Sequence, residues 1–295
     1  MKPSLTVEQQ VRLLASRGLV VGDVAACRDF LTSTNYYRFS GYARYFQRAP
    51  HEGDDTFVED TRFESVRYVY DADEDLRALL ARPLAQVELL LRTAFARAVA
   101  SSNPYGTYLT PTYYRELGND EPTIDACFRD LDRSKERHIV RFRAPGMNGP
   151  TYPGLPVWSA VEAWSFGTLS KAIERADGGA VSRTVAESLG LPVAGFSTRV
   201  RALVYLRNRC AHHARLWHHS VINAGPTPRN VRGRAKRLYG QFEPRSVVDV
   251  IASLDDITSR TGVADPLLAH VYEKHLEDPN YWNGLAVPLN PVDHL

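Results

Sequence analysis

A helical repeat between Phe63 and about Ala100 is the feature that most constrains how this 295-residue chain can fold. Apolar residues recur there every three or four positions, as they do along one face of an α-helix. They are Val66, Val69, Leu76, Leu79, Leu80, Leu84, Val87, Leu90, Leu91 and Phe95. Because proline lacks a backbone N–H and its ring clashes with the preceding turn, we expect Pro83 to kink this helix or divide it in two.

The same period recurs through most of the chain, so the predicted fold class is all-α, a helical bundle with little or no sheet. Further helices are predicted at about 6–17, 23–47 (as one or two helices), 124–142, 157–175, 181–189, 196–217, 246–260 and 265–277. Polar or Pro- and Gly-rich sequence predicts loops at 51–61, at 144–156 and in the tail from Pro279. We find no repeat and no convincing linker, so we expect one domain over residues 1–295, with 144–156 as the best candidate boundary.

The composition is that of an ordinary folded protein, with 44% hydrophobic and 24% charged residues. The three cysteines are far apart and lack a CxxC spacing, which argues against a zinc ribbon or a redox pair. The N-terminal sequence has no apolar core of a signal peptide, and no apolar run approaches the ~20 residues of a membrane helix. Histidines 212, 213, 218 and 219 have no acidic ligand nearby in sequence. We therefore predict a cytoplasmic protein with no metal, no cofactor and no membrane contact.

The net charge is only +2, but the charges are unevenly distributed. Residues 188–242 contain no Asp or Glu. The same stretch carries Arg199, Arg201, Arg207, Arg209, Arg215, Arg229, Arg232, Arg234, Lys236 and Arg237. A uniformly basic segment favours a phosphate backbone as its partner. The alternative is a solvated basic face that acids from elsewhere in the fold balance.

Within this stretch, the segment 207–212 lies in the helix predicted over 196–217. At about 100° per residue, the apolar residues Phe196, Val200, Leu203, Val204 and Ala211 fall within about 60° of Arg207. Arg207 is therefore predicted in the middle of the apolar stripe, where its guanidinium needs buried acceptors or a cleft. On the same ideal helix Asn208, His212 and Arg215 share one shoulder, whereas His213 faces the other side.

Arginine, asparagine and histidine on one helical shoulder suit RNA cleavage without a metal. That reaction needs a base for the 2′-hydroxyl proton, an acid for the 5′-oxygen leaving group and positive donors for the phosphorane. Histidine titrates near neutral pH and serves as acid or base, and arginine matches phosphate oxygens with a charged planar fork. Asparagine can orient the histidine or hold the phosphate.

The Arg-x4-His spacing by itself is common. The structural alternative is that Arg207 forms a buried ion pair and that His212 is a satisfied core histidine. Arg133 and His138 have the same spacing without the asparagine, in a highly charged predicted helix. We interpret that second match as mostly surface.

Longer sequence blocks carry a more specific signal. Residues 206–217, LRNRCAHHARLW, resemble the LRN-x-x-AHH-x-RLW signature of the AbiD/AbiF-like abortive-infection family. Three earlier blocks occur in family order: NYYRFSGY at 35–42, VELLLRT at 87–93, and PVW at 156–158 with Glu162 and SFGTLS at 165–170. These blocks span about residues 30–220, and residues 221–295 are predicted to be a C-terminal helical extension.

The resemblance implies a HEPN-like helical bundle with additional helices and a role in defence against phage. Many HEPN proteins are RNases that use an Arg-x4–6-His motif with a polar residue after the arginine. By position, the resemblance makes Arg207, Asn208 and His212 the catalytic set of an endoribonuclease, with His213 as an alternative histidine. A single good motif implies a homodimer, because HEPN motifs commonly meet in pairs. The implied partners are substrate RNA and a small regulatory non-coding RNA.

Candidate RNA-binding residues are Arg199, Arg201, Arg209, His213 and Arg215. Four further residues from the earlier blocks are predicted to support the motif or the fold: Glu88, Arg92, Tyr37 and Arg38. Glu88 and Arg92 are spaced to pair on one helix, either as support for the motif helix or as a simple intrahelical pair. The aromatic run from Tyr36 to Tyr45 is suited either to stacking bases or to packing helices. Two other functions stay open, a non-catalytic RNA-binding module and a scaffold without RNA affinity.

Overall fold

The structure of the chain is a computed structural model that describes residues 4–102, 105–118, 121–147, 149–221, 225, 227–275 and 278–289. These residues form two compact units. The first contains the chain up to Ala78 together with His213–Trp217, and the second contains Leu79–His212 and the chain from His218 onward. The expected single domain, with an extension at 221–295, stays a prediction.

The first unit is mainly helical. Its elements are α1 (Val7–Ser16), α2 (Val24–Ser33), α3 (Tyr36–Ala43), β1 (Gln47–Ala49), β2 (Asp54–Phe57) and the first part of α4 (Phe63–Ala100). Helix α1 begins with a capping box, in which Thr6 accepts from the Gln9 backbone and the Gln9 side chain accepts from the Thr6 backbone. Strands β1 and β2 pair antiparallel. The loop predicted over 51–61 is therefore wrong for residues 54–57, because the turn at 50–53 brings that segment back onto β1.

Aromatic side chains form the core of the first unit. Phe30 lies 5.8 Å from Phe63 and 5.1 Å from Tyr70 between ring centroids. Phe39 lies 5.8 Å from Phe63. Tyr42 packs edge-on against Tyr70 at 5.2 Å. These contacts join α2, α3 and α4, and they account for Phe30, Phe39 and Tyr42 among the aromatic residues of this region.

Helix α4 continues through Pro83 as one element, so of the two expected outcomes, a kink or a division, the division is wrong. A proline inside a helix costs about 3 kcal/mol. Leu80, Leu84 and Val87 flank it and are fully buried, and each buried aliphatic side chain contributes about 1.5–3 kcal/mol. Burial of the apolar face therefore outweighs the lost backbone hydrogen bond.

The second unit continues α4 from Leu79 and adds the remaining helices. They are α5 (Thr123–Arg133), α6 (Arg137–Val140), α7 (Val157–Ala163), α8 (Phe166–Arg175), α9 (Ala180–Ser188), α10 (Phe196–Ala211), α11 (Arg229–Tyr239), α12 (Val247–Thr261), α13 (Leu268–Lys274) and α14 (Pro279–Ala286). The all-α prediction is confirmed by these elements. Helix α14 corrects the expected loop after Pro279: Asp278 caps its first turn, and Tyr281, Trp282 and Leu285 are buried.

Helix α10 occupies the core of the second unit. It packs against α8, α9 and α12. Helix α12 is buried along its first eight residues, Val247–Leu254. The helix that carries the 207–212 segment is therefore held by neighbours on several sides, and its side chains have well-defined surroundings.

Candidate functional site

The buried face of α10 fixes where its polar side chains lie. Phe196, Arg199, Val200, Ala202, Leu203, Leu206 and Cys210 are buried. At about 100° per residue, the centre of this face lies roughly 60° from Arg207. Val204 is half-buried and Ala211 is exposed. Arg207 therefore lies at the edge of the buried face and not in its middle, as the apolar pattern had predicted, because Arg199, Ala202 and Cys210 extend the buried face away from it.

The helix ends at Ala211, six residues earlier than predicted. His212 is its C-cap, with its backbone N–H bonded to the Asn208 carbonyl at 2.9 Å. His213 has a φ of 53°, outside the helical region. The ideal-helix angles for His213 and Arg215 therefore do not apply. The register of Asn208 and His212, one turn apart, is kept by the bond between their backbones.

Arg207 joins an acidic and a polar partner at the surface. Its Nε lies 3.3 Å from Glu88 Oε2, and its Nη1 donates to Asn208 Oδ1 at 3.2 Å. The Arg207 side chain is 40% exposed, whereas that of Glu88 is 10% exposed. One face of the guanidinium is thus anchored by α4, and the rest remains accessible. The partner that the sequence required for Arg207 is Glu88.

Arg92 completes this network from inside the unit. It pairs with Glu88 one helical turn away and donates to the backbone carbonyls of Val161 and Trp164. These carbonyls lie at the C-terminal end of α7, where helix carbonyls have no intrahelical donors. Glu88 therefore binds Arg92 within α4, as an intrahelical pair would, and it also binds Arg207 on α10, as support for the motif helix would require.

The charges of this cluster do not cancel. Glu88 supplies one negative charge, while Arg92 and Arg207 supply two positive charges. Arg92 is buried and Arg207 is not. The excess positive charge is therefore presented through Arg207, and a phosphate oxygen is a favourable partner for it.

His212 is exposed and Asn208 is half-buried. The alternative that His212 is a core histidine is therefore wrong. An exposed imidazole at the end of α10, one turn from Asn208, is free to reach a ligand that also contacts Arg207.

The other arginines of α10 have different surroundings. Arg199 is 1% exposed and donates to the Ser253 hydroxyl, the Ser253 carbonyl and Asp256. Its placement corrects the sequence-based assignment to RNA binding, because no part of the guanidinium is available to a phosphate. Arg201 forms an ion pair with Glu174 and keeps 42% of its side chain exposed.

Arg209 lies beside an aromatic pair. Its guanidinium is 5.9 Å from the centroid of the Tyr205 ring. That ring stacks on His219 at 5.6 Å with an interplanar angle of 2°. The Tyr205 hydroxyl also lies 2.7 Å from His219 Nε2. Arg209 is half-exposed, so it is still available to an RNA strand.

The segment His213–Trp217 belongs to the first unit, where the side chains of Arg38, Tyr45 and Phe46 contact it. Arg38 donates to the His213 carbonyl. The guanidinium of Arg215 lies 4.6 Å from the centroid of the Tyr45 ring, and its Nη1 donates to the Trp217 carbonyl at 2.7 Å. The tryptophan ring packs against Tyr45 and Phe46. Arg215 thus stabilises this segment through its own contacts, although its side chain is still half-exposed.

Asp73 is a central residue of the first unit that the sequence analysis missed. Its carboxylate accepts from the Tyr42 hydroxyl at 2.7 Å, from Arg77 Nη1 at 2.5 Å and from the backbone N–H groups of Leu216 and Trp217 at 3.0 Å. These two N–H groups are engaged by a carboxylate instead of by helix carbonyls, so Leu216 and Trp217 are held outside a helix. A signal was present: Asp73 and Arg77 occupy the apolar stripe of α4, four residues apart.

The aromatic run from Tyr36 to Tyr45 divides in the structure. Phe39 and Tyr42 are buried in the core, which is the packing role. Tyr37 is 67% exposed. Its neighbour Tyr36 is half-buried and packs edge-on against it, with ring centroids 6.1 Å apart. These two rings are thus left for another role.

The acid-free stretch 188–242 is partly balanced by acids from elsewhere in the chain. Arg199, Arg201, Arg207 and Arg232 pair with Asp256, Glu174, Glu88 and Asp249. The basic field predicted from the sequence is therefore weaker than the sequence suggests. Arg229, Arg234 and Arg237 on α11 are exposed.

The second Arg-x4-His match does not form one helical site. Arg133 ends α5 and pairs with Asp130. His138 lies in the separate helix α6, with Nδ1 2.8 Å from the Ser159 hydroxyl. The helix predicted over 124–142 is thus divided, and the residue after Arg133 is Ser134 where the first match has Asn208.

The described residues contain no group of three or more His, Cys, Asp or Glu side chains placed to hold a metal ion. No helix among them has the length and apolar character required to cross a membrane.

Comparison with known proteins gives one match. A family model described as "Abi-like protein" matches residues 29–218, more than half of the chain. The curated proteins and the solved structures that were searched give no match. The matched range includes α10 and the cluster around Glu88.

Proposed function

Because this chain belongs to the Abi-like protein family, we propose that it is an abortive-infection effector of phage defence that acts by cleaving RNA. The observation that carries the proposal is the grouping of Arg207, Asn208 and Glu88 beside the exposed His212 at the end of α10. These groups supply a phosphate ligand, an orienting amide and a proton-transfer group on one surface.

In the proposed reaction, the 2′-oxygen loses its proton to a base and attacks the adjacent phosphorus. The bond from phosphorus to the 5′-oxygen breaks, and that oxygen takes up a proton. The products are a 2′,3′-cyclic phosphate and a 5′-hydroxyl end. His212 would accept or donate one of these protons, since an imidazole can act either as a general base or as a general acid. Arg207, fixed by Glu88, would stabilise the charge on the phosphorane oxygens.

One histidine moves one proton at a time, so a second acid–base group is required. We propose that a second copy of the chain supplies it, in a homodimer that brings two His212 side chains to one RNA strand. Arg201, Arg209, His213 and Arg215 are retained as proposed RNA contacts, because each is at least partly exposed. Arg199 is removed from that set. A small non-coding RNA remains a proposed regulatory partner.

The test is cleavage of single-stranded RNA by the purified chain in buffer with EDTA. We expect His212→Ala to reduce the cleavage rate about 10²–10⁴-fold, the usual contribution of a general acid or base. His270→Ala is the matched control, because His270 is an exposed histidine on α13, and its rate should stay within about twofold of the unsubstituted chain.

Three outcomes separate the alternatives. If His212→Ala cleaves as fast as the unsubstituted chain, the assignment of His212 is wrong. If His213→Ala loses activity and His212→Ala does not, the histidine of the motif is His213. If the unsubstituted chain binds RNA with strong salt dependence but leaves it intact, the chain is a non-catalytic RNA-binding protein.

A further inference from the structure

The first unit contains a cavity of about 1120 Å³. Its walls come from α1, α3 and the β1–β2 hairpin. Pockets that bind small molecules commonly have volumes of about 300–1,000 Å³. None of the residues proposed for catalysis lines this cavity, so it requires an explanation of its own.

An aromatic surface forms one wall. Tyr36 and Tyr37 both line the cavity, and Tyr37 is two-thirds exposed. Since neighbouring Phe39 and Tyr42 point into the core, the exposure of Tyr37 is not a general property of α3. An exposed tyrosine ring is a stacking platform for a planar base.

Hydrogen-bonding groups surround this platform. The Tyr36 hydroxyl accepts from Arg17 Nη1 at 3.4 Å. Burial raises the pKa of Tyr36, so its hydroxyl keeps a proton that it can donate to a ligand. The amide of Gln47 also lines the wall, and an amide can both donate to and accept from the edge of a base.

The cavity has a positive side. Arg17 is paired with Asp55 at 2.8 Å. Arg44 differs, because its side-chain partners among the described residues are the ring nitrogens of His51, at 3.3 and 3.4 Å. A guanidinium without a carboxylate partner is a favourable site for a phosphate group.

Gly41 leaves the cavity open. A Cβ atom placed on Gly41 would meet no other atom within 4 Å, although the residue lies inside α3 and lines the cavity. Glycine lowers the stability of a helix interior, so its presence here is not explained by the helix. It does leave room for a ligand over α3.

We propose that this cavity binds a nucleotide unit, with the base stacked on Tyr37 and the phosphate on Arg44. The unit could come from a free nucleotide or from an unstacked residue of single-stranded RNA, since both present the same base and phosphate. The site goes beyond the proposed cleavage of RNA and does not require it, because its residues are distinct from Arg207, Asn208 and His212.

The test uses the full chain carrying His212→Ala, so that RNA probes are not consumed if the chain is a nuclease. The probes are 2-aminopurine riboside 5′-monophosphate and a six-nucleotide RNA that contains one 2-aminopurine. The fluorescence of this base is quenched when it stacks on an aromatic ring, so binding and stacking are read together.

Gly41→Leu should place a bulky side chain in the cavity one helical turn from Tyr37 and weaken nucleotide binding at least tenfold, without lowering the melting temperature, because leucine favours a helix. Gly233→Leu on α11 is the matched control: it is also a helical glycine, its added Cβ meets only an Arg237 nitrogen at 3.8 Å, and it should leave binding unchanged. Tyr37→Leu should abolish quenching, whereas Tyr37→Phe should retain it. The tyrosine pair keeps the test decisive if Gly41→Leu does not fold.

The outcomes separate the two sources. Quenching of the monophosphate alone identifies a free nucleotide, and quenching of the RNA probe alone identifies a base within a strand. The proposal is overturned if neither probe is quenched, or if Gly41→Leu and Tyr37→Leu bind as tightly as the parent. Because no cleavage is measured, failure here is distinct from failure of the proposed RNase activity.

Discussion

Replacing Asp73 by Asn should strongly destabilise the first unit around His213–Trp217, the segment that follows residues 207–212. The carboxylate is fully buried and accepts from Tyr42, Arg77, Leu216 and Trp217. An asparagine amide keeps one acceptor oxygen and turns a donor toward one of these donors. Arg77, which is 4% exposed, keeps its charge but loses its ion pair with the Asp73 carboxylate.

The size of the effect follows from these two losses. Removing one partner of a buried ion pair costs about 3–5 kcal/mol. A buried N–H left without an acceptor costs about 1–3 kcal/mol. Since the terms overlap, we expect Asp73→Asn to lower the free energy of unfolding by about 4–6 kcal/mol, a large part of a typical stability of about 5–15 kcal/mol.

The assay is urea unfolding followed by tryptophan emission and by circular dichroism. Asp71→Asn is the matched control, because Asp71 lies two residues earlier on α4, pairs with Arg67 at 3.3 Å and is 53% exposed. That variant should change the free energy of unfolding by no more than about 0.5 kcal/mol. If Asp73→Asn loses less than about 1 kcal/mol, or no more than Asp71→Asn, the buried carboxylate does not hold the segment as we describe.

Two further substitutions test buried charges of the second unit. Burial lowers the pKa of Arg199, with Asp256 acting in the opposite direction. Arg199→Met should lower the free energy of unfolding by about 2–4 kcal/mol and leave RNA affinity unchanged. A variant that is as stable as the unsubstituted chain but binds RNA more weakly would contradict the structural role of Arg199. Burial raises the pKa of Asp255 to about 6, although the backbone N–H groups of Leu267 and Leu268 lower it. Between about pH 4 and pH 6 the folded chain therefore holds a proton on Asp255 that the unfolded chain has lost. The contribution of Asp255 to the free energy of unfolding is accordingly highest at low pH and falls as the pH rises through 6. Relative to the unsubstituted chain, Asp255→Asn should gain about 3 kcal/mol in the free energy of unfolding between pH 4 and pH 7, and a pH-independent difference would refute the assignment.

Local patterns in the sequence were sufficient for the fold class and for most of the helices. The helical period predicted the all-α class, and the Thr6–Gln9 pair predicted the start of α1, because both signals act over three or four residues. The prediction was less successful where a distant partner decides the outcome. The backbone at Leu216 and Trp217 is one case: the helical pattern extended to Trp217, and nothing in the local sequence shows that these two residues bind Asp73.

The candidate site shows the same division. Sequence blocks identified Arg207, Asn208 and His212 as a group, and the i,i+4 spacing identified the Glu88–Arg92 pair. The sequence did not show that Glu88 also binds Arg207, or that Arg199 is buried. Both facts depend on which helices pack together, and the composition of one helix does not contain that information.

What the sequence determined by itself is therefore the all-α class, the position of most helices and the residue types that α10 carries at its C-terminal end. What only the tertiary structure decided is the environment of each charge. Arg199 and Arg207 lie on the same helix, yet one is enclosed by α12 and the other is exposed beside Glu88. The physical reason is that a helix forms through hydrogen bonds between residues four apart, whereas the solvation of a charge depends on atoms that reach it from anywhere in the chain, as when Asp73 binds backbone groups 143 and 144 positions away.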